Sequence, residues 1–103
     1  MNPESPQPFR VEMTSTAKQQ LREIIGKAKK KGLKKNMIAA AARIHERLHI
    51  DHSTAGEALY DLGPPRINVR MIADKPLVAE YGVVTAAQLV LIRAFRSMIN
   101  LDD

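Results

Sequence analysis

Three apolar segments separated by very short breaks constrain this chain more than anything else in it. They are Arg66–Ala73, Leu77–Val84 and Gln88–Met98, broken by Asp74-Lys75-Pro76 and by Thr85-Ala86-Ala87. β-branched and aromatic residues dominate, as expected of half-buried strands. Links this short exclude a parallel return, which needs a crossover of roughly a dozen residues, so the segments must form an antiparallel meander. In the first segment Ile67, Val69 and Met71 alternate with Asn68 and Arg70, so one side can face a core while the other carries polar groups. In the last, Val90, Ile92 and Ala94 share one face and Leu89, Leu91, Arg93 and Phe95 the other. Both faces are largely apolar, which predicts a central strand.

The rest of the chain reads as cover for this meander. Residues 1–8 hold Pro3, Pro6 and Pro8 among polar residues, which predicts a disordered tail. Phe9–Met13 alternates and reads as a short first strand. Thr16 with Gln19 resembles a capping box. Ala17, Leu21, Ile24, Ile25 and Ala28 then recur at helical spacing up to Gly32, a C-cap residue, giving a helix over Thr16–Lys31. A second helix, Lys35–Ile50, buries Met37, Ala41, Ile44 and Leu48, flanked by Ile38. The short link makes the two an antiparallel hairpin that can lie on one face of the sheet. Asp51–Gly56 reads as a loop and Ala58–Leu62 as an extra strand, before Gly63-Pro64-Pro65. The expected architecture is α+β, with an antiparallel sheet packed against a two-helix hairpin. A single domain spans residues 9–99, and residues 100–103 are a frayed acidic end.

At 103 residues with 45% hydrophobic content, one domain with a real core is expected. No apolar run approaches the roughly 20 residues that span a bilayer. The polar, proline-rich start gives no signal peptide. Absence of Cys rules out disulfide and thiolate chemistry and fits a cytoplasmic location. Sixteen basic residues against 11 acidic give a net charge of +5, which favours an anionic partner, nucleic acid or an acidic protein segment.

Two local patterns carry possible chemistry. His45-Glu46-Arg47-Leu48-His49 matches H-E-x-x-H, in which two histidines on one helical face hold Zn²⁺ and the Glu is general base. Arg47 sets a cation between those ligands, and both histidines flank the buried stripe, an ordinary place for half-buried histidines. The pattern therefore assigns no metal. Lys27, Lys29, Lys30, Lys31, Lys34 and Lys35 crowd the end of the first helix and the turn. Cations there offset the helix dipole, but six in nine residues exceed that need and form a candidate nucleic-acid-binding patch.

The order strand, helix pair, strand meander resembles the RelE/ParE toxin superfamily from Val11 to about Phe95. The residues that carry this are Thr14, Ala17 and Leu21; Ile44 and Leu48; Asp51 and Gly56-Glu57; Pro76-Leu77, Tyr81 and Val83; and Val90 and Ile92. The resemblance implies a toxin of a toxin–antitoxin module of the plasmid-stabilisation type, neutralised by an antitoxin with an acidic segment. RelE-like members cleave messenger RNA in the ribosomal A site, and ParE-like members inhibit gyrase without cleaving. No small-molecule cofactor and no membrane is implied.

Cleaving members use basic residues on the sheet, often with a Tyr or a His-Tyr pair near the C-terminus. Metal-free RNA cleavage needs an activated 2′-hydroxyl, a stabilised phosphorane and a protonated leaving oxygen. Arg70, Arg93 and Arg96 suit the second task, since a guanidinium can hold two phosphate oxygens. Glu80 and Tyr81 are the acid–base candidates, on opposite faces of one strand. Alternatively, the arginines pair with Glu12, Glu57 or Glu80 at the solvent face. No Tyr follows Tyr81 and no His follows His52. Three functions follow: a RelE/ParE-like toxin that binds messenger RNA at the ribosome and is an endoribonuclease if active; a non-catalytic binding relative, gyrase inhibition included; and a small zinc hydrolase.

Overall fold

The computed structural model describes residues 9–51, 55–63 and 67–101. The expected tail over residues 1–8, His52, Pro64 to Arg66 and the last two residues lie outside these. β1 (Arg10–Met13) leads into α1 (Ser15–Lys30) and α2 (Lys34–Asp51). β2 (Glu57–Leu62), β3 (Ile67–Asp74), β4 (Leu77–Val84) and β5 (Leu89–Ser97) follow, with a 3₁₀ turn at Thr85–Ala87. The strands form one five-stranded sheet in the order β1-β5-β4-β3-β2.

The meander is antiparallel throughout, and β2 adds antiparallel to β3. β1 pairs parallel with β5, from Arg10 opposite Leu89 to Met13 opposite Ile92, so the sheet is mixed rather than wholly antiparallel. The α1–α2 hairpin is long enough to serve as the crossover that parallel pairing requires. Because β1 adds outside β5, the middle of the sheet is β4, not the last strand as its two apolar faces predicted.

Thr14, not Thr16, caps α1: its Oγ1 accepts from the Ala17 N–H at 3.0 Å. Gly32, at φ +72°, ends that helix in the left-handed region that glycine enters without strain. The Leu33 N–H donates back to the Ala28 carbonyl at 2.9 Å, closing the turn. Helix α1 packs on β5 and α2 on β3, β4 and β1. Between them lie Ala17, Ala28, Met37, Ala40, Ile44 and Leu48 from the helices, with Ile72, Leu77, Ala79, Tyr81, Val83, Val90, Ile92 and Phe95 from the sheet. Leu101 packs against the edge of this core.

Two face assignments differ from the sequence expectation. Cross-strand partners share a face. Arg70 lies opposite Tyr81 and Ile72 opposite Ala79, so the polar side of β3 faces the helical layer and Ile67, Val69 and Met71 face away from it. In β5 the register slips opposite Glu80 and Tyr81, which pair with Ala94 and Ile92 and leave Arg93 as the extra residue of a bulge. One extra residue inverts the alternation beyond it. Phe95 thus joins Val90 and Ile92 in the core, and Ala94 turns outward.

Candidate functional site

The sheet face opposite the helices is open. Along it run Leu62, Ile67, Val69 and Met71, then Val78, Glu80, Gly82 and Val84, then Leu91, Arg93, Ala94 and Arg96. Tyr60, which the sequence reading did not single out, faces the same way as the partner of Val69 and is 48% exposed. Its signal was the Ala58–Leu62 segment itself, but which side Tyr60 takes depends on the bulge between Ala58 and Tyr60.

Two depressions mark this face. One, of ≈ 400 Å³, is lined by Leu59, Met71, Val78, Glu80, Ala94, Phe95 and Arg96. Arg96 reaches across it to the Met71 Sδ, 3.5 Å from its Nη2. The other, of ≈ 450 Å³, crosses the opposite end of the sheet from Thr14 and Thr16 to Leu62, over Ile67, Gly82, Val84 and Leu91, with Arg93 in its lining. A Cβ on Gly82 would sit 2.9 Å from the Ile67 Cγ2, so glycine is what opens this trough. The Arg93 Nη1 is buried and has no hydrogen-bond partner among the described residues.

The bulge that aims Arg93 outward is fastened from the β1–α1 junction. The Thr14 N–H donates to the Ile92 carbonyl at 3.0 Å, and the Thr14 hydroxyl donates to the Arg93 carbonyl at 3.3 Å. The Gln20 Oε1 accepts from the Phe95 N–H at 2.9 Å. Backbone groups displaced from the ladder are thereby satisfied, as buried polar groups require.

Arg70 and Tyr81 belong to a different place. The Arg70 Nε lies 3.3 Å from the Tyr81 hydroxyl, its Nη1 donates to the Asn68 Oδ1 at 3.3 Å, and its Nη2 donates to the Gly56 carbonyl at 2.5 Å. Tyr81 is wholly buried. That burial pushes its hydroxyl above the ordinary tyrosine range, with Arg70 pulling the other way. A Cβ on Gly56 would collide with the Met71 carbonyl oxygen and come within 2.7 Å of the Tyr81 hydroxyl. This knot pins residues 55–57 to the sheet. The five residues expected to work together are therefore divided: Arg93, Arg96 and Glu80 on the open face, Arg70 and Tyr81 on the helical side.

Among the described residues none of Arg70, Arg93 and Arg96 makes an ion pair, whereas Arg10 pairs with Glu12 at 3.4 Å and Arg43 with Asp74 at 2.8 Å. Arg43 grips both Asp74 oxygens, which holds that carboxylate below its ordinary range, and ties α2 to the β3–β4 turn. The six lysines are all exposed, along the end of α1 and the start of α2. Lys27 also lines a notch with Gln20, Glu23, Ile24, Phe95, Arg96 and Ser97, so Arg96 borders both this notch and the open face. His45 and His49 are exposed rather than half-buried. The His49 Nδ1 is 3.0 Å from the Phe9 carbonyl oxygen, and no cluster of metal-ligating side chains occurs among the described residues.

A solved structure with this architecture is the crystal structure of the toxin–antitoxin complex RelBE2 from Mycobacterium tuberculosis. A chain of that complex superimposes with a TM-score of 0.66 at 14% identity, covering 87% of this chain and 91% of that one. The fold is RelE-like. No family model and no curated protein matches the sequence. Among the described residues, no helix of this RelE-like chain is long and apolar enough to cross a membrane.

Proposed function

We propose that this chain is the toxin component of a toxin–antitoxin pair and acts on translation by binding messenger RNA at the ribosome. One observation carries the reading: the lysine cluster meets the open face at Lys27 and Arg96. Lys27 shares a notch with Arg96, and Arg96 also lines the open-face depression that holds Glu80. A phosphate backbone following the lysines of α1 would be delivered to the guanidinium of Arg96 and then to the open sheet. There Arg96 and Arg93 offer planar donors for phosphate oxygens.

Cleavage, where it occurs, rests on Glu80. It is the acid–base side chain of β4 that faces the open surface, so it is placed to take the 2′-hydroxyl proton while Arg96 steadies the phosphorane. No His or Tyr follows on β5 to protonate the leaving oxygen. General acid–base help is typically worth about 10²–10⁴-fold, so cleavage is slow and binding is the dominant activity. A non-catalytic role is the second reading, favoured by the burial of Tyr81 against Arg70.

The test is expression of the wild type and of the Arg93→Ala/Arg96→Ala variant, with cleavage mapped on translated messages. Weak growth inhibition that the variant loses supports the reading. Equal growth for both, with no ribosome association, overturns it. Rapid arrest with A-site cuts would show that Glu80 suffices for catalysis.

A further inference from the structure

We propose that this chain associates with a second copy of itself through β1, edge to edge and antiparallel. A two-fold axis at Val11 sets Arg10 of each copy opposite Glu12 of the other. The two five-stranded sheets then join into one. Such pairing requires neither RNA nor an antitoxin, so it stands apart from the function proposed above.

The backbone presents the edge. β1 is the outermost strand, beside β5. The Arg10 N–H donates to the Gln88 carbonyl and the Thr14 N–H to the Ile92 carbonyl, both at 3.0 Å. Backbone groups alternate in direction along a strand, so those of Val11 and Met13 point away from β5. The ladder between β1 and β5 runs from Arg10 to Met13 without a break. The opposite edge differs: a bulge interrupts β2 between Ala58 and Tyr60, and that strand carries two acids and no base. Bulges and charges are what keep sheet edges from pairing. On β1 the backbone is regular and the two charges have opposite signs.

Those signs select the register. A two-fold axis perpendicular to the sheet keeps both helical layers on one side, so directly opposite residues come from the same face. Arg10 and Glu12 lie on the open-face side, beside Leu89 and Leu91, and Val11 and Met13 on the helical side, beside Val90 and Ile92. The axis therefore passes through a residue rather than between two. At Arg10 it would set arginine against arginine, and at Glu12 glutamate against glutamate, which destabilises a pair. At Met13 it would leave Val11 facing Ser15, where α1 has already begun. At Val11 it sets each arginine against a glutamate and Phe9 against Met13. Val11 then becomes a hydrogen-bonded pair, its outward N–H and C=O meeting their counterparts. Arg10 and Glu12 hold each other at 3.4 Å with side chains 66% and 51% exposed, so both keep hydrogen-bonding capacity for the second copy. A depression of ≈ 460 Å³ lined by Val11, Glu12, Met13, Lys18, His45 and Leu91 gives the incoming strand room.

Analytical ultracentrifugation of the full chain tests this, with Arg10→Glu and Glu12→Arg made singly and together. A pair of such short strands predicts a weak dimer, half-formed at roughly tens of micromolar. Each single substitution sets like charges across the axis and should weaken association by about tenfold or more. The double substitution restores opposite charges and should restore the dimer. Mixing the two singly substituted proteins in equal amounts should recover association that neither shows alone, because the acids of one strand then face the bases of the other. Both positions are exposed, so the fold should survive each change. A wild-type chain that stays monomeric up to about 1 mM overturns the proposal. So does a dimer indifferent to both single substitutions, or a mixture that associates no better than its components.

Discussion

The Gln20 Oε1 accepts a hydrogen bond from the Phe95 backbone N–H at 2.9 Å, and this contact joins helix α1 to the bulge in β5. The bulge is what puts Phe95 into the core and Arg93 on the open face. Gln20→Leu leaves that N–H without its acceptor, and a lost buried partner costs about 1–3 kcal/mol. For a domain of this size each kcal/mol lowers the melting temperature by roughly 4–8 °C. Gln20→Glu keeps an acceptor and should lose less. Urea denaturation of the three proteins checks the order; equal midpoints would show that the contact contributes nothing.

Gly56 should tolerate no side chain. A Cβ there would meet the Met71 carbonyl and the Tyr81 hydroxyl, and backbone cannot give way as a flexible side chain can. Overpacking of this kind costs typically about 1–3 kcal/mol. Gly56→Ala should destabilise the protein by that order, whereas Gly26→Ala, with open space around it, should be neutral or mildly stabilising, since alanine is the better helix former. Thermal unfolding distinguishes the two.

Asp74 gives the acid limb of the stability curve a defined contributor. Its pKa is lowered, first by the hydrogen bonds from Arg43 and then by their charge attraction. A depressed folded-state pKa means the contribution is present above the unfolded-state value and is lost as pH falls through the folded one. Asp74→Asn should therefore flatten the stability profile below about pH 4. The Arg43 side chain is exposed, so salt should weaken the effect. A profile unchanged by the substitution would refute this.

Tyr81 and Glu80 should separate structure from chemistry. Tyr81→Phe removes a hydroxyl that touches Arg70 on the helical side, and it should lower stability by about 1 kcal/mol while leaving RNA binding unchanged. Glu80→Gln should leave stability within about 0.5 kcal/mol, as for surface changes generally, and abolish whatever cleavage the protein has. RNA cleavage assays beside chemical denaturation report both. Cleavage lost with Tyr81→Phe at unchanged fold would return Tyr81 to the chemistry.

By itself the sequence determined the elements. Short links forced the meander, apolar spacing set both helices, Gly32 ended α1, and the whole placed the chain in the α+β class with a RelE-like order of elements. Local rules decide these because each depends on a few neighbouring residues. Tertiary structure decided which face each residue takes. An alternating strand such as Ile67–Asp74 reads equally well either way round, and only its pairing with β4 turned Asn68 and Arg70 toward the helices. The single extra residue at Arg93 leaves no mark in β-propensity, yet it reverses every side chain after it. That reversal, held by Thr14 and Gln20 from far along the chain, is why the candidate site divides as it does: Arg93 and Arg96 on the open face, Arg70 and Tyr81 closed into the fold.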